Sequence, residues 1–337
     1  MNYSKLLAGA IALGMTAAAA GGATAQEYPF RDITTAVVWG AGGGTDAINR
    51  MIMSEMEKEL PVSISVINQT GGVAGSNGMT YVLNQPDDGY TLAGISESNV
   101  TAGVQGGWDK KFDVWYPFIV GGSPDLISVT EDSPYKSLEE LIDAAKANPG
   151  TIPAAASGSG SIHHLNLLAL ENGTDAKFKF IPYGGSGPSQ EAAVTGEVQV
   201  VVTSLAEQFP LLAGNKLRPL AMLVPESKEI KDLGSIPSAF ASYPGLDKYL
   251  PLKQAIGFAV LNSAPDDAKQ KLTEAFKKAM QSDNVKLWAE SNNYDLSGAA
   301  GEEASKIFSN LESNFAWTLW DLKAAKVDPS TLDIAKP

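Results

Sequence analysis

The amino-acid sequence predicts an α/β protein of two lobes, each a mostly parallel sheet flanked by helices. Three observations point there. At 337 residues the chain exceeds what one hydrophobic core usually organises, so two units are the first expectation. Runs rich in β-branched residues alternate with segments of helical period, the pattern of sheets covered on both faces. No low-complexity tract or Ser/Pro-rich linker separates the halves, so short crossing strands should join the lobes.

The first 25 residues read as an export signal and not as part of the fold. Lys5 supplies the positive start, residues 6–15 form the apolar run, and Ala23-Thr24-Ala25 gives the small-x-small cleavage pattern before Gln26. A membrane anchor is the lesser alternative, because the run is Ala/Gly-rich and lacks a basic stop-transfer flank. No later segment is long and apolar enough to span a bilayer, and no cysteine offers a lipid attachment point. An exported, cysteine-free chain suits a bacterial periplasm.

Strand candidates lie at 33–39, 62–68, 90–96, 126–130, 152–157, 178–183, 198–203, 217–224 and 255–261. Between them Ile48, Met51, Ile52, Met56 and Leu60 recur at helical spacing, as do Leu138, Leu141, Ile142 and Ala145. A third stripe, Ile162, Leu165 and Leu168, should end at Gly173 in a C-cap position. In the C-terminal third Pro265-Asp266-Asp267 opens a helix through Leu272, Phe276 and Met280. A longer one starts near Gly301 and carries Ile307, Leu311, Phe315, Leu319 and Leu322. Trp317 and Trp320 read as core or inter-lobe packing.

Composition excludes several functions. Acidic residues outnumber basic ones 38 to 25, a formal charge of −13 that becomes −14 once Lys5 is cleaved away. Nucleic acid and anionic membranes need basic patches, so neither is an expected partner. The balance also speaks, at first sight, against an anionic small molecule. With no cysteine there is no disulfide framework, thiolate metal site or cysteine nucleophile.

Where the glycines sit is the informative feature. Four strand candidates run straight into glycine-rich loops and then helices. They are Gly40-Ala41-Gly42-Gly43-Gly44-Thr45-Asp46, Gln69-Thr70-Gly71-Gly72-Val73-Ala74-Gly75, Gly158-Ser159-Gly160-Ser161 after Ser157, and Gly184-Gly185-Ser186-Gly187-Pro188 after Tyr183. In doubly wound sheets ligands bind beyond the carboxyl ends of strands. Helix N-termini there present unpaired N–H groups, and glycine admits close approach. None of these loops contains Lys or Arg, so the chemistry on offer is neutral donors for an oxyanion. Any one loop alone is most simply an ordinary strand–helix turn; four together point to a site.

Catalytic and nucleotide patterns fail one by one. The third glycine of a dinucleotide fingerprint is Thr45, and the following strand ends in Asn68 instead of an acid. There is no P-loop and no Gly-x-Ser-x-Gly elbow. His163 and His164 are adjacent, so they cannot form an i,i+4 metal pair; one is expected at the surface and one near the loop. Asp46 and Arg50, four apart, read as a helix-surface ion pair, or Asp46 as a cap that orients the glycine loop. No catalytic residue, metal or cofactor is expected.

The run Val37-Val38-Trp39-Gly40-Ala41-Gly42-Gly43-Gly44-Thr45-Asp46 resembles the first binding loop of the tripartite tricarboxylate transporter substrate-binding proteins, the TctC or Bug family. Further matches follow in order. They are Asn68 with Gly71 to Gly78, Pro86-Asp87-Asp88-Gly89-Tyr90, Ser157-Gly158-Ser159-Gly160 with His164-Leu165, and Pro182-Tyr183 to Pro188. Gly196-Glu197-Val198 and Gly214-Asn215-Lys216-Leu217-Arg218-Pro219-Leu220-Ala221 complete the set.

The resemblance implies a periplasmic binding protein of the two-lobed "Venus flytrap" kind, type II-like. It would be a monomer that holds a carboxylate in its cleft and delivers it to membrane permease subunits. It places lobe 1 at residues 26–121 plus 252–337 and lobe 2 at 122–251. Carried onto this chain, Trp39, Gly42, Gly43, Gly44, Thr45, Asp46 and Ser96 would bind from one side. Ser157, Gly158, Ser159, Ser161, Tyr183, Gly185 and Thr203 would bind from the other, with His163 beside them. Three positions depart from the family pattern: Ala41 for a usual proline, Gly184 where lysine is common, and Thr203 where aspartate is frequent. The expected ligand is a small di- or tricarboxylate, with an aromatic carboxylate flanked by Trp39 and Tyr183 second. Rival functions are a ligand-sensing module for a signalling partner and an exported α/β enzyme.

Overall fold

The computed structural model describes residues 27–231 and 233–337, so the export signal and its cleavage pattern lie outside the described residues. Among the described residues thirteen strands form. They are β1 Ile33–Val37, β2 Ile64–Asn68, β3 Thr91–Ser96, β4 Trp115–Gly122, β5 Asp125–Thr130, β6 Pro153–Ala155, β7 Lys179–Ile181, β8 Val200–Ser204, β9 Leu217–Met222, β10 Lys228–Ile230, β11 Gly234–Ile236, β12 Ile256–Leu261 and β13 Asp295–Ala300. The helices are α1 Gly44–Met56, α2 Ser76–Leu83, α3 Leu138–Ala147, α4 Ile162–Thr174, α5 Ser186–Val194, α6 Leu205–Ala213, α7 Ala239–Ser242, α8 Asp266–Gln281, α9 Asp283–Ser291 and α10 Glu302–Asp321.

Two main sheets result, a six-stranded one in the order β13-β4-β12-β3-β1-β2 and a five-stranded one in the order β7-β6-β8-β5-β9. Both are mixed, not mostly parallel. β1 pairs parallel with β2 and β3, but β12, β4 and β13 join antiparallel. In the second sheet β6 is parallel to β7 and β8, while β5 is antiparallel to β8 and β9. The departure follows from connectivity: strands that carry the chain between sheets cannot all keep the direction that helical crossovers impose.

Period-two alternation builds the cores. In β12 Ile256, Phe258 and Val260 face one way, against α1, α8 and α9, while Ala259 and Leu261 face α10. In β8 Val200 and Val202 face α3 and α4, and Val201 faces α5 and α6. The chain crosses between the sheets twice. The outward crossing is short, Ser123 and Pro124 between β4 and β5, whereas the return carries the β10–β11 hairpin and α7. The two crossings lie side by side, since the Ser123 N–H donates to Gln254 Oε1 at 2.8 Å.

Several elements differ from expectation for local reasons. β4 was concealed by Pro117 and its aromatic neighbours, and β13 by small residues on an exposed edge. α4 passes through Gly173 and ends at Asp175, which takes the left-handed conformation at φ +59°. Gly173 is there for packing, because a Cβ would come 2.5 Å from a Leu246 methyl. Trp320 is 40 % exposed and not core. Trp317 instead donates its indole N–H to the Ala335 carbonyl, pinning the C-terminal segment. Among the described residues no helix is long and apolar enough to cross a membrane.

Candidate functional site

The glycine loops that open α1 and α5 meet face to face across the gap between the sheets. Gly40 N–H donates to the Gly184 carbonyl at 2.8 Å. Contact this close demands glycine: a Cβ at Gly187 would clash with the Ala41 carbonyl and lie 3.2 Å from Gly43 N. Neither helix has a side-chain cap, since their N-cap residues are Gly43 and Gly185. Their first N–H groups therefore need acceptors from elsewhere. The loop at 158–161 meets the other side instead, with the Ser159 carbonyl accepting Ala74 N–H at 3.2 Å and the Gly160 carbonyl accepting the Thr101 hydroxyl at 2.6 Å.

Between these contacts lies a cavity of about 20 Å³, room for roughly one water molecule. Of the residues expected from sequence, Trp39, Gly43, Gly44, Thr45, Ser96, Ser157 and His163 line it. Trp39 is buried and its indole N–H has no acceptor. Ser157 is held at φ +57°, a left-handed serine whose backbone strain is typical of ligand sites. Two larger cavities, about 930 Å³ beside α10 and the C-terminal segment and about 630 Å³ behind the crossing strands, have no such convergence of helix N-termini.

The other expected residues stand behind the wall. Asp46 Oδ2 accepts the Gly42 N–H at 3.0 Å, and Oδ1 accepts from Arg50 and Asn68. One carboxylate thus makes both the Arg50 ion pair and the contact to the glycine loop, but Asp46 is buried instead of lying on the helix surface and it does not cap α1. Burial opposes its ionisation, but Arg50, the Gly42 N–H and Asn68 together hold its carboxyl below the usual range. Ser161 caps α4 and donates to the Ala156 carbonyl. Thr203 is buried and accepts from Gln190. Tyr183 is partly buried against the hydrophobic cluster of β8, α5 and α6 and does not line the cavity opposite Trp39. Gly158, Ser159 and Gly185 shape the loops without lining the cavity.

Neither histidine is at the surface. His164 accepts the Gly160 N–H and stacks on Phe180 at 4.0 Å; burial pushes its pKa down to about 4. His163 spans two buried carboxylates, with Nδ1 at 2.7 Å from Asp125 and Nε2 at 3.3 Å from Glu207. Burial alone would lower its pKa, but Asp125 and Glu207 outweigh it and raise it to about 9.

Six lining residues were not anticipated: Glu97, Ser98, Ser186, Glu207, Gln254 and Ile256. Glu97 accepts the Ala255 N–H at 2.7 Å and the Ser98 hydroxyl at 2.8 Å, and burial pushes its pKa up to about 7. Glu207 Oε2 accepts the Ser204 N–H and hydroxyl, while Oε1 accepts the Gly44 N–H at 2.7 Å from the other sheet. Four of these carried a sequence signal, Ser186 by lying in the glycine loop that opens α5. Ser204-x-x-Glu207 is a capping box straight after a strand, and Ser96-Glu97-Ser98 follows another strand end. Gln254 carried none, since it arrives from the return crossing.

Comparisons with known proteins agree with the fold. The model of the tripartite tricarboxylate transporter family receptor matches residues 48–310. The UPF0065 protein in the gbd 5' region of Cupriavidus necator is 32% identical over 287 residues, covering 83% of this chain and 84% of its own length. Among solved structures, the periplasmic binding protein BugD superposes with a TM-score of 0.80 at 21% identity, covering 88% of this chain and 99% of its own. MatC from Rhodopseudomonas palustris with bound malate does so with a TM-score of 0.78 at 22% identity, covering 87% and 100%.

Proposed function

The chain belongs to the tripartite tricarboxylate transporter receptor family, and from that premise we propose that it captures a small carboxylate in the cleft between its sheets. The first candidates are di- and tricarboxylates, taken up in the periplasm and delivered to the permease subunits of such a transporter. Family and structural neighbours are solute-binding proteins, not enzymes.

One observation carries the reading. Two helix N-termini without a cap of their own converge from different sheets beside a buried indole N–H that lacks an acceptor, the first N–H of α1 being held by Glu207 in this arrangement. Such donors suit an oxyanion, and they do so without a cationic side chain. The malate complex of MatC is a carboxylate held by the same fold.

The proposed mechanism is a population shift. A 20 Å³ cavity is too small for a carboxylate of several carbons, so the ligand enters an arrangement with the sheets parted at the crossing segments. Closure then sets both loops on the ligand, and the ligand stabilises the closed form by its differential affinity. Micromolar capture needs about 8 kcal/mol net. A thermal-shift screen against a carboxylate library tests the proposal. At a hundredfold excess over Kd the true ligand adds about 2.7 kcal/mol to stability, and a library in which no carboxylate raises the melting temperature would sink it.

A further inference from the structure

Glu207 divides its carboxylate between two tasks. Oε2 stays within its own unit, accepting the Ser204 N–H and hydroxyl at 2.9 Å each and facing His163 Nε2 at 3.3 Å. Oε1 accepts the Gly44 N–H at 2.7 Å, and among the described residues it has no other donor. Capping α6 needs only Oε2. Oε1 reaches instead to the start of α1 on the other sheet, a helix with no side-chain cap of its own. A carboxylate is what such an end attracts, and here the chain supplies it. The side chain is 4 % exposed and steadied by His163, itself anchored to Asp125 at 2.7 Å.

Resting on the carboxylate-receptor reading, we propose that Glu207 is a built-in stand-in for the ligand. Its carboxylate latches the ligand-free protein shut at Gly44, and an incoming carboxylate must displace it from that N–H. An independent mark of a ligand lies in the same cavity: Trp39, whose buried indole N–H has no acceptor within the chain.

Glu207 and a ligand carboxylate cannot share the place. A second carboxylate against Glu207 would meet a like charge where water is scarce, and at such range the two repel strongly. The adjoining cavity of about 20 Å³ has room for roughly one water, so the latch has to open before a ligand group enters. While it is shut the protein is not competent to bind, and apparent affinity falls by the latched fraction. The latch therefore sets a threshold. An anion that only replaces Glu207 gains little, whereas one that also engages Trp39 displaces it.

Hydrogen exchange on the ligand-free mature protein tests this, followed at the amides of residues 40–47 with acetate as the probe. In Glu207→Ala, exchange there should speed up at least about tenfold, as expected for losing a hydrogen bond to a charged acceptor. Acetate carries the group that the substitution removes, so it should restore the protection, and equimolar chloride should not. Glu207→Ser leaves similar space and a polar group beside His163, and it takes the place of the alanine variant should that one not fold. Unchanged exchange in the folded variant means that nothing is latched and overturns the proposal. Lost protection that acetate does not restore overturns the stand-in role. Either failure leaves the carboxylate receptor standing, because the thermal-shift screen decides that reading separately.

Discussion

Helices α1 and α6 both start at the carboxyl end of a strand and both need acceptors for their first N–H groups, yet they obtain them differently. α6 is self-sufficient, because Ser204 and Glu207 form a complete capping box inside their own sheet's unit. α1 begins at Gly43 with no side-chain cap, and its first N–H is satisfied by the second oxygen of Glu207 across the cleft. An internal cap serves whether or not the sheets are apart. A cap borrowed from the facing unit exists only in the closed form. The uncapped helix is therefore the one whose hydrogen bonding reports closure, and a ligand competes or cooperates at that end.

The charged side of this comparison should break hardest. His163→Ala leaves Asp125 and Glu207 buried against each other without the imidazole between them. A loss of about 3–5 kcal/mol is expected, read as a fall in the denaturant midpoint with unchanged slope. A midpoint within error of the parent would mean that the imidazole does not pair these acids.

The neutral side breaks next. Gly187→Val drives a side chain into the Ala41 carbonyl and prevents the loops from meeting. Carboxylate affinity should fall at least about a hundredfold while unfolding barely changes, since closure and not folding is blocked. Retained affinity would show that the ligand does not need loop contact. A milder effect is expected at Asp46→Ala, which frees the Gly42 N–H: about tenfold weaker binding, with Asp46→Asn recovering part through its remaining oxygen. Equal affinities for all three proteins would remove the loop-orienting role.

The acids also give a pH dependence with a definite sign. Glu97 is raised to about 7, so the folded protein keeps a proton that the unfolded chain releases near 4.5, and stability declines as pH climbs through that window. His163 is raised to about 9, so its contribution is complete below about 6.5 and is lost as pH rises through 9. Both act in one direction and together outweigh His164, whose lowered pKa adds stability as pH rises from about 4 to about 6.5, so the melting temperature should drop by about 5 °C or more between pH 5 and pH 9. A curve that rises over this range would contradict the assigned environments. The smallest effect concerns capture: with a net charge of −13 over the whole chain, the on-rate for a dianion should hold or rise modestly with added salt. Stopped-flow traces that slow steeply with salt would reveal a basic entry path.

Much of this was legible beforehand. β-branched runs and helical stripes mark elements whose residues are buried by their own period, so β1, β3, β8, β12, α1 and α3 fall where the pattern puts them. Glycine loops at strand ends announced the mouth of the cleft, because only glycine permits backbones to touch there. Asp46 and Arg50 were readable as a pair because four residues are one helical turn. β13 was not, since an edge strand of small residues has no apolar rhythm.

Sequence alone thus determined the two-lobed α/β class and the glycine loops without Lys or Arg, which depend on spacing of a few residues, but not the mixed strand directions. Only the tertiary structure decided that Glu207, 163 positions from Gly44, supplies that residue's hydrogen-bond acceptor, and that His163 is pinned between acids from β5 and α6. Such contacts join strand ends that the chain visits far apart, and no local period encodes which of them will face each other. Of the acids behind the charge that seemed to oppose an anionic ligand, Glu97 and Glu207 line the cleft itself, and a carboxylate acts through its distance and burial and not through its share of the total.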